Sequence, residues 1–369
     1  MTAPEVLRAD LVDALLARAR EGAPLLLTGP PGAGKTTLLL AVAEALRREG
    51  WVAVYLDVMG AASSPDRFVT AALDALPAAS FGRRLAQATG IRRLAAAGRA
   101  HGAAAVEGLL SLWSGLDEAG GRPVALLLDE PTEIRSLAYF AGLREVDKPF
   151  AAALAPRRRG TLLATSFPTL AARLWAFETL DARPLTAAEI GAAAAARGIA
   201  VDAVGVARAS FGWPRHVRVL VERLAQGGDV ATVWAREMAP GGRLELGCRH
   251  TYESLLLRSR GYGMSKAVLA EVAREEGLNL TALVPRIGRT PGAVRDYLQW
   301  LVGVDALRMT RKRYHYVDGV VRHWVRLHTR GVPPSVDELR AAGREAAGAP
   351  VEEATAAVPV RRESLMEID

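Results

Sequence analysis

Three short stretches hold the residues best equipped for chemistry. Gly29, Pro30, Pro31, Gly32, Ala33, Gly34, Lys35, Thr36 and Thr37 fit the pattern G-x-x-x-x-G-K-[ST]. Glycines there let backbone N–H groups curl round a phosphate, Lys35 places a positive charge on the β- and γ-phosphates of ATP, and the Thr36 hydroxyl is a ligand for Mg²⁺. Asp129 and Glu130 close the apolar run VALLLDE: the first is suited to the metal's coordination shell, the second to orienting or deprotonating an attacking water. Thr165 and Ser166 end a third apolar run, GTLLATS, where hydroxyls would sense a γ-phosphate. Both acids are present, so the expected chemistry is hydrolysis as well as binding.

Such groups need strand ends to hold them. LLLTG (25–29) reads as a buried strand, and the helix TTLLLAVAEALRREG aims its positive dipole end at the phosphates. WVAVYLD (51–57), VALLLDE (124–130) and GTLLATS (160–166) are further strands. Their alternation with helical stretches predicts an α/β fold, a parallel-sheet P-loop NTPase core whose ligand sits at the carboxyl ends of the strands. Residues 58–123 read as a long Ala- and Arg-rich helical insertion, solvated by default and without an assigned role.

The run LLLDEPT is also what the metal strand of an ABC ATPase looks like, but the preceding LLSLWSGLDEAGG lacks the LSGGQ-like signature such a protein requires. The other landmarks resemble AAA+ and STAND ATPases, notably the compact archaeal-type members that end in a winged helix, over roughly residues 5–330. FETLDARPLTAAEI (177–190) is similar to the last sheet strand running into a helical lid. SFGWPRHVRVLVERL (210–224) is similar to the family's G-x-P element, with Gly212 and Pro214 matching. The resemblance implies that this element lies against the nucleotide and that Arg215 acts as a sensor arginine. Phe167 stands where STAND proteins often carry arginine, and Arg173 is the candidate for an arginine finger offered to a neighbouring subunit.

From Tyr252 the pattern changes to short, closely punctuated helices: YESLLLRSRG, then SKAVLAEVAREEG capped by Ser265, LTALVPRIG, the turn RTPG, and AVRDYLQWLVGV. ALRMTRKRYHYVD then reads as a hairpin with a basic tip, completing the winged helix-turn-helix order. The helix after the turn exposes Arg295, Asp296 and Gln299 while Val294, Leu298 and Leu301 face inward. Arg289 and Thr290 precede it, and Arg311, Lys312 and Arg313 form the wing. DNA is the expected partner of these residues; the alternative is a signalling or assembly ATPase whose winged helix binds protein.

The charge distribution agrees with a polyanion partner. The 369 residues carry a net charge of +7; residues 245–330 hold 15 Lys and Arg against 8 Asp and Glu, whereas 331–369 hold 4 against 8. A single cysteine, Cys248, excludes an internal disulfide framework. No apolar run nears the roughly 18 residues of a membrane span, and MTAPEVLRAD lacks a signal peptide's apolar stretch, so a cytoplasmic protein is expected. The expected division is an ATPase core over 1–183, a helical lid over 184–244, a winged helix over 245–330, and an acidic, disordered tail over 331–369 with one short helix at 335–347 and no stretch that could bury a core. A homo-oligomer is left open.

Overall fold

The computed structural model describes residues 8–77, 84–116, 118–119 and 121–348. It opens with helix α1 (Ala9–Glu21), strand β1 (Leu25–Thr28), α2 (Lys35–Arg48) and β2 (Val52–Asp57). The helices α3 (Val58–Ala61), α4 (Pro65–Asp74), α5 (Leu85–Ala96) and α6 (Gly102–Ser114) follow, then β3 (Glu118–Ala119) and β4 (Arg122–Asp129). A 3-10 helix over Pro131–Tyr139 leads to α7 (Asp147–Leu154), β5 (Thr161–Thr165), α8 (Pro168–Leu174) and the edge strand β6 (Glu178–Asp181).

The sheet runs β2-β4-β5-β1-β6, all parallel, with β3 antiparallel beside β4. Its strands alternate as a two-faced sheet must: Leu126 and Leu128 of β4 join one core, Ala125 and Leu127 the other. Register brings the chemistry to one end, since Thr28 pairs with Thr165 and Asp57 with Asp129. Helices α1 and α2 cover one face. The stretch 58–123 is not a solvated insertion: α4–α6 cover the other face and bury Phe68, Val69, Leu73, Leu109, Leu112 and Trp113. Behind that face Arg157 is fully buried and donates to Thr161 Oγ1 and to the carbonyls of Trp113, Leu116 and Val124, tying α6 to the sheet.

Four helices fill the stretch expected to form a lid: α9 (Ala187–Ala195), α10 (Ala203–Ser210), α11 (Pro214–Leu224) and α12 (Val230–Met238). Thr186 and Glu189 form a capping box on α9, and Asp202 and Asp229 cap α10 and α12. Next come α13 (Arg243–Arg258), α14 (Tyr262–Arg274), α15 (Leu280–Ile287), α16 (Pro291–Gly303), a hairpin of β7 (Leu307–Thr310) and β8 (Arg313–Tyr316), and α17 (Gly319–His328). Helix α14 starts four residues earlier than its sequence suggests. Ser265 lies inside it, with its hydroxyl donating to the Arg260 carbonyl, and Gly261 is the cap residue.

The last described element, α18 (Val336–Gly348), corrects the expectation of a coreless tail. It lies against α12 and α10 and buries Leu339, Ala342 and Ala346. Gly343 allows the approach: a Cβ there would stand 2.4 Å from the Ala231 carbonyl oxygen. Small residues at helical spacing form a thin apolar stripe, enough to pack a helix close to its neighbour. The remainder of the expected tail, 349–369, lies outside the described residues. Among the described residues no helix is long and apolar enough to cross a membrane.

Candidate nucleotide site and winged helix

The turn after β1 is built from residues that tolerate left-handed backbone. Gly32 (φ +88°) and Gly34 (φ +81°) are also crossed closely by two arginines. A Cβ on Gly32 would meet the Arg215 side chain at 2.8 Å, and one on Gly34 would meet an Arg8 nitrogen at 2.8 Å. Pro30 and Pro31 stiffen the loop, Ala33 N–H closes it on the Pro30 carbonyl at 3.1 Å, and α2 begins at Lys35, with Thr36 and Thr37 in its first turn.

The Lys35 ammonium is buried and donates to the Gly29 carbonyl (2.8 Å), the Pro30 carbonyl (3.1 Å) and Ser166 Oγ (2.8 Å). Burial lowers its pKa, against the pull of Glu130 and Asp129. Asp129 accepts from Thr36 Oγ1 (2.5 Å) and from the Tyr55 hydroxyl (2.9 Å). Burial, more than the neighbouring Asp129, pushes the Tyr55 phenol up, so it remains a donor.

Glu130 sits at φ +47°, a left-handed turn rare for a side-chain-bearing residue, and its N–H donates to the Ala164 carbonyl at 2.7 Å. That turn lays the carboxylate on the tip of β5. It accepts from Ser166 N–H (2.9 Å), from the Ser166 hydroxyl and from Thr165 Oγ1 (3.2 Å). Burial raises the Glu130 pKa, while Lys35 and Ser166 oppose the rise. Ser166 thus links lysine to carboxylate, accepting from one and donating to the other.

Helices α9 and α11 cover one side of the site. Gly212 (φ +66°) accepts from the Leu185 N–H at 2.8 Å, while its own N–H donates to the Ala207 carbonyl at 2.9 Å. Pro214 opens α11, and Arg215 N–H donates to the Gly32 carbonyl at 3.2 Å. The Arg215 guanidinium itself reaches Thr251 of α13 (3.0 Å). Together the loop, Glu130, Ser166 and the lid line a cavity of about 570 Å³, with Ile190, Val217 and Val221 as an apolar wall.

Two neighbours of this site escape a reading of motifs. Arg8, ahead of α1, is buried and donates to the Ala33 and Arg183 carbonyls; burial and then Arg183 lower its pKa to about 10. Nothing local marks it, since its partners are remote in sequence. Tyr55 had a signal: it lies two residues before Asp57, which pairs with Asp129. Arg173, by contrast, does not line the nucleotide cavity. It is exposed on α8, its guanidinium 3.7 Å from where a Cβ on Gly303 of α16 would lie.

The second cluster is the bundle of α14–α16 with its hairpin. Val294, Leu298 and Leu301 of α16 are buried, while Arg295, Asp296 and Gln299 are exposed. Thr290 caps α16 and Pro291 begins it; Arg289 is exposed beside them. Arg311, Lys312 and Arg313 are exposed at the hairpin tip, and Arg313 donates to the Gly277 carbonyl. Tyr314 and Tyr316 pack inward.

This bundle is docked on the ATPase core. Asp305, just after α16, accepts from Thr169 N–H (3.2 Å) and Thr169 Oγ1 (2.6 Å) at the start of α8. Arg258 pairs with Glu133 (2.6 Å) and lies over the Phe167 ring at 4.3 Å. His216 of the lid meets Asp318, the cap of α17, at 2.9 Å.

Residues 6–145 match the AAA ATPase domain family. The chain therefore carries an AAA ATPase domain. Its fold is similar to the Walker-type ATPase PABY2304 of Pyrococcus abyssi, at 15% identity over 87% of this chain and 96% of that one, with a TM-score of 0.64. Looser likenesses include the Aeropyrum pernix Orc1 protein in complex with DNA (16% identity, 88% and 93% covered, TM-score 0.41). Another is the Thermotoga maritima RuvB Holliday junction branch migration motor (18% identity, 85% and 91% covered, TM-score 0.34). No curated protein matches the sequence. The matched segment holds the phosphate loop, Asp129 and Glu130, whereas Ser166 and the helices from α9 onward lie beyond it.

Proposed function

We propose that the chain is a nucleotide-driven switch whose winged helix binds DNA. Lys35 and the backbone of Gly29–Thr37 hold the phosphates of ATP. Thr36 and Asp129 already converge as hard oxygen donors, the chemistry Mg²⁺ selects, and among the described residues no cluster of three His, Cys, Asp or Glu competes as a metal site. Bound there, the ion would neutralise phosphate charge. Glu130 orients the attacking water and takes its proton. Thr165 and Ser166 sense the γ-phosphate, because the Ser166 contact to Lys35 is one that an arriving phosphate displaces. Gly212, Pro214 and Arg215 carry that change to the lid.

The observation that carries the DNA reading is the exposed basic set of Arg289, Arg295, Arg311, Lys312 and Arg313, with Thr290 and Gln299 among them. Arg295 and Gln299 lie one turn apart on α16, suited to base edges once Gln299 is released from the groove against α8, and the wing cations are suited to phosphates. The docking contacts of Asp305 and Arg258 favour a second element of the same reading: the winged helix also packs on its own core, and nucleotide turnover changes that packing. If it binds a protein instead of DNA, those contacts are its closed state.

The test is binding of a fluorescent random-sequence duplex with ATP, with ADP and without nucleotide, at two salt concentrations. Binding is expected to weaken with salt. It should fail in an Arg311/Lys312/Arg313→Ala variant and lose its nucleotide dependence in Lys35→Ala. Equal binding by wild type and the wing variant would refute the DNA reading.

A further inference from the structure

Between the ATPase core and the winged helix runs a groove of about 870 Å³. One wall is the 3-10 helix that follows Glu130, another is α8, which follows Ser166, and the third is the C-terminal half of α16. Five arginines line it against two acids, Glu133 and Asp147. Glu133 is already neutralised by Arg258, whereas Arg135, Arg144, Arg173 and Arg260 make no ion pair among the described residues. Arg173 lies in the field of Asp305 and Arg144 in that of Glu145, but four exposed guanidinium groups without an ion pair still make the groove a binding surface for a polyanion.

Two features narrow the class of polyanion. Tyr139, at 94% exposure, stands at the end of the 3-10 helix with nothing packed on its ring, and Trp300 of α16 also lines the groove. Flat rings among arginines suit a strand whose bases are unstacked and free to lie on them. An acidic peptide would satisfy the arginines but has no comparable use for an exposed ring. A duplex meets an obstacle here. Arg295, Gln299 and Gly303 succeed one another at four-residue spacing along α16, and Gln299 and Gly303 lie in the groove opposite α8. Only the first half of that helix face is open to a wide ligand.

We infer that this groove takes a single nucleic-acid strand, its phosphates on Arg135, Arg144, Arg173 and Arg260 and its bases on Tyr139 and Trp300. The inference rests on the nucleic-acid reading of the winged helix but names a different surface. Because its walls directly follow Glu130 and Ser166, the strand occupies a site whose shape depends on the nucleotide site.

The experiment uses the full chain and fluorescence anisotropy with a labelled oligo-dT strand, a duplex of equal length, and poly-glutamate as competitor. Tyr139→Ala should weaken oligo-dT binding at least about 5-fold, the low end for one stacked base. Arg135→Ala with Arg144→Ala should flatten the log–log salt slope by about 1.4, two phosphate contacts on a single strand. All three residues are exposed and lie outside the nucleotide cavity, so ATP hydrolysis without nucleic acid should stay at the wild-type rate and report the fold. The wing variant should lose duplex binding and keep oligo-dT. Unchanged oligo-dT binding in both groove variants overturns the inference, even if the wing still binds duplex. Competition by poly-glutamate that equals oligo-dT and ignores Tyr139 overturns it in favour of an acidic protein partner.

Discussion

Replacing Asp305 by asparagine tests how the winged helix is fastened to the ATPase core. Burial pushes the Asp305 carboxyl up to about 6 from an ordinary 3.8, although its bonds to Thr169 and the field of Arg173 pull the other way. The folded state therefore binds this proton more tightly than the unfolded chain. The sign follows: stability falls as pH rises from about 4 through about 6, and above pH 7 the charged group costs the fold about 3 kcal/mol. Asparagine removes the charge and keeps an acceptor for Thr169, and it tolerates the left-handed backbone at this position (φ +55°). Urea unfolding of both chains at pH 8 should show Asp305→Asn to be more stable. At pH 5 the wild-type carboxyl is largely protonated, so the advantage should shrink by about 1.4 kcal/mol. Using the difference between the two chains cancels the other titrating groups. The same difference at both pH values would refute the reasoning, and a variant less stable at pH 8 would show that the charge, not the acceptor, holds the junction.

Two further outcomes concern the nucleotide site. Glu130→Gln keeps its bonds from Ser166 and loses the base, so ATP hydrolysis should fall at least about 100-fold while nucleotide binding persists; a fall of only a few-fold would remove Glu130 from that role. In the wild type, burial raises the Glu130 pKa, so the acid limb of kcat/KM should lie above the usual glutamate range, activity being lost as pH falls through it. Gly212→Ala forces a Cβ to within 2.5 Å of the Leu185 carbonyl in a left-handed conformation, and should cost at least about 2 kcal/mol in thermal unfolding and weaken nucleotide binding through the displaced lid.

What could be read along the chain were groups whose partners lie close in sequence. The phosphate loop needs its glycines, Lys35 and Thr36 within eight residues, and the winged helix announces itself by caps and turns between short apolar stripes. The apolar runs ending in Asp129–Glu130 and Thr165–Ser166 marked two strand tips, but not that Ser166 would bridge Glu130 to Lys35, a contact spanning 131 positions. Arg8 and Tyr55 owe their places to the same kind of distant closure. The burial of the helices of 58–123 and of α18 is illegible for another reason. Alanine and glycine give little hydrophobic contrast, so whether Ala342 or Gly343 is buried depends on a neighbour close enough to need a small residue.

Helix α18 changes what kind of object the winged helix is. The chain leaves the lid after α12, builds α13 through α17, and returns to α10 and α12 with α18. The lid is therefore a discontinuous unit and the winged helix an insertion within it, tethered at entry and exit. Those inserted helices also share one buried core with the lid, from Ile190 and Trp234 to Leu269 and Val321. A lid that moved would carry them along as one piece, unlike a domain hung from a single linker.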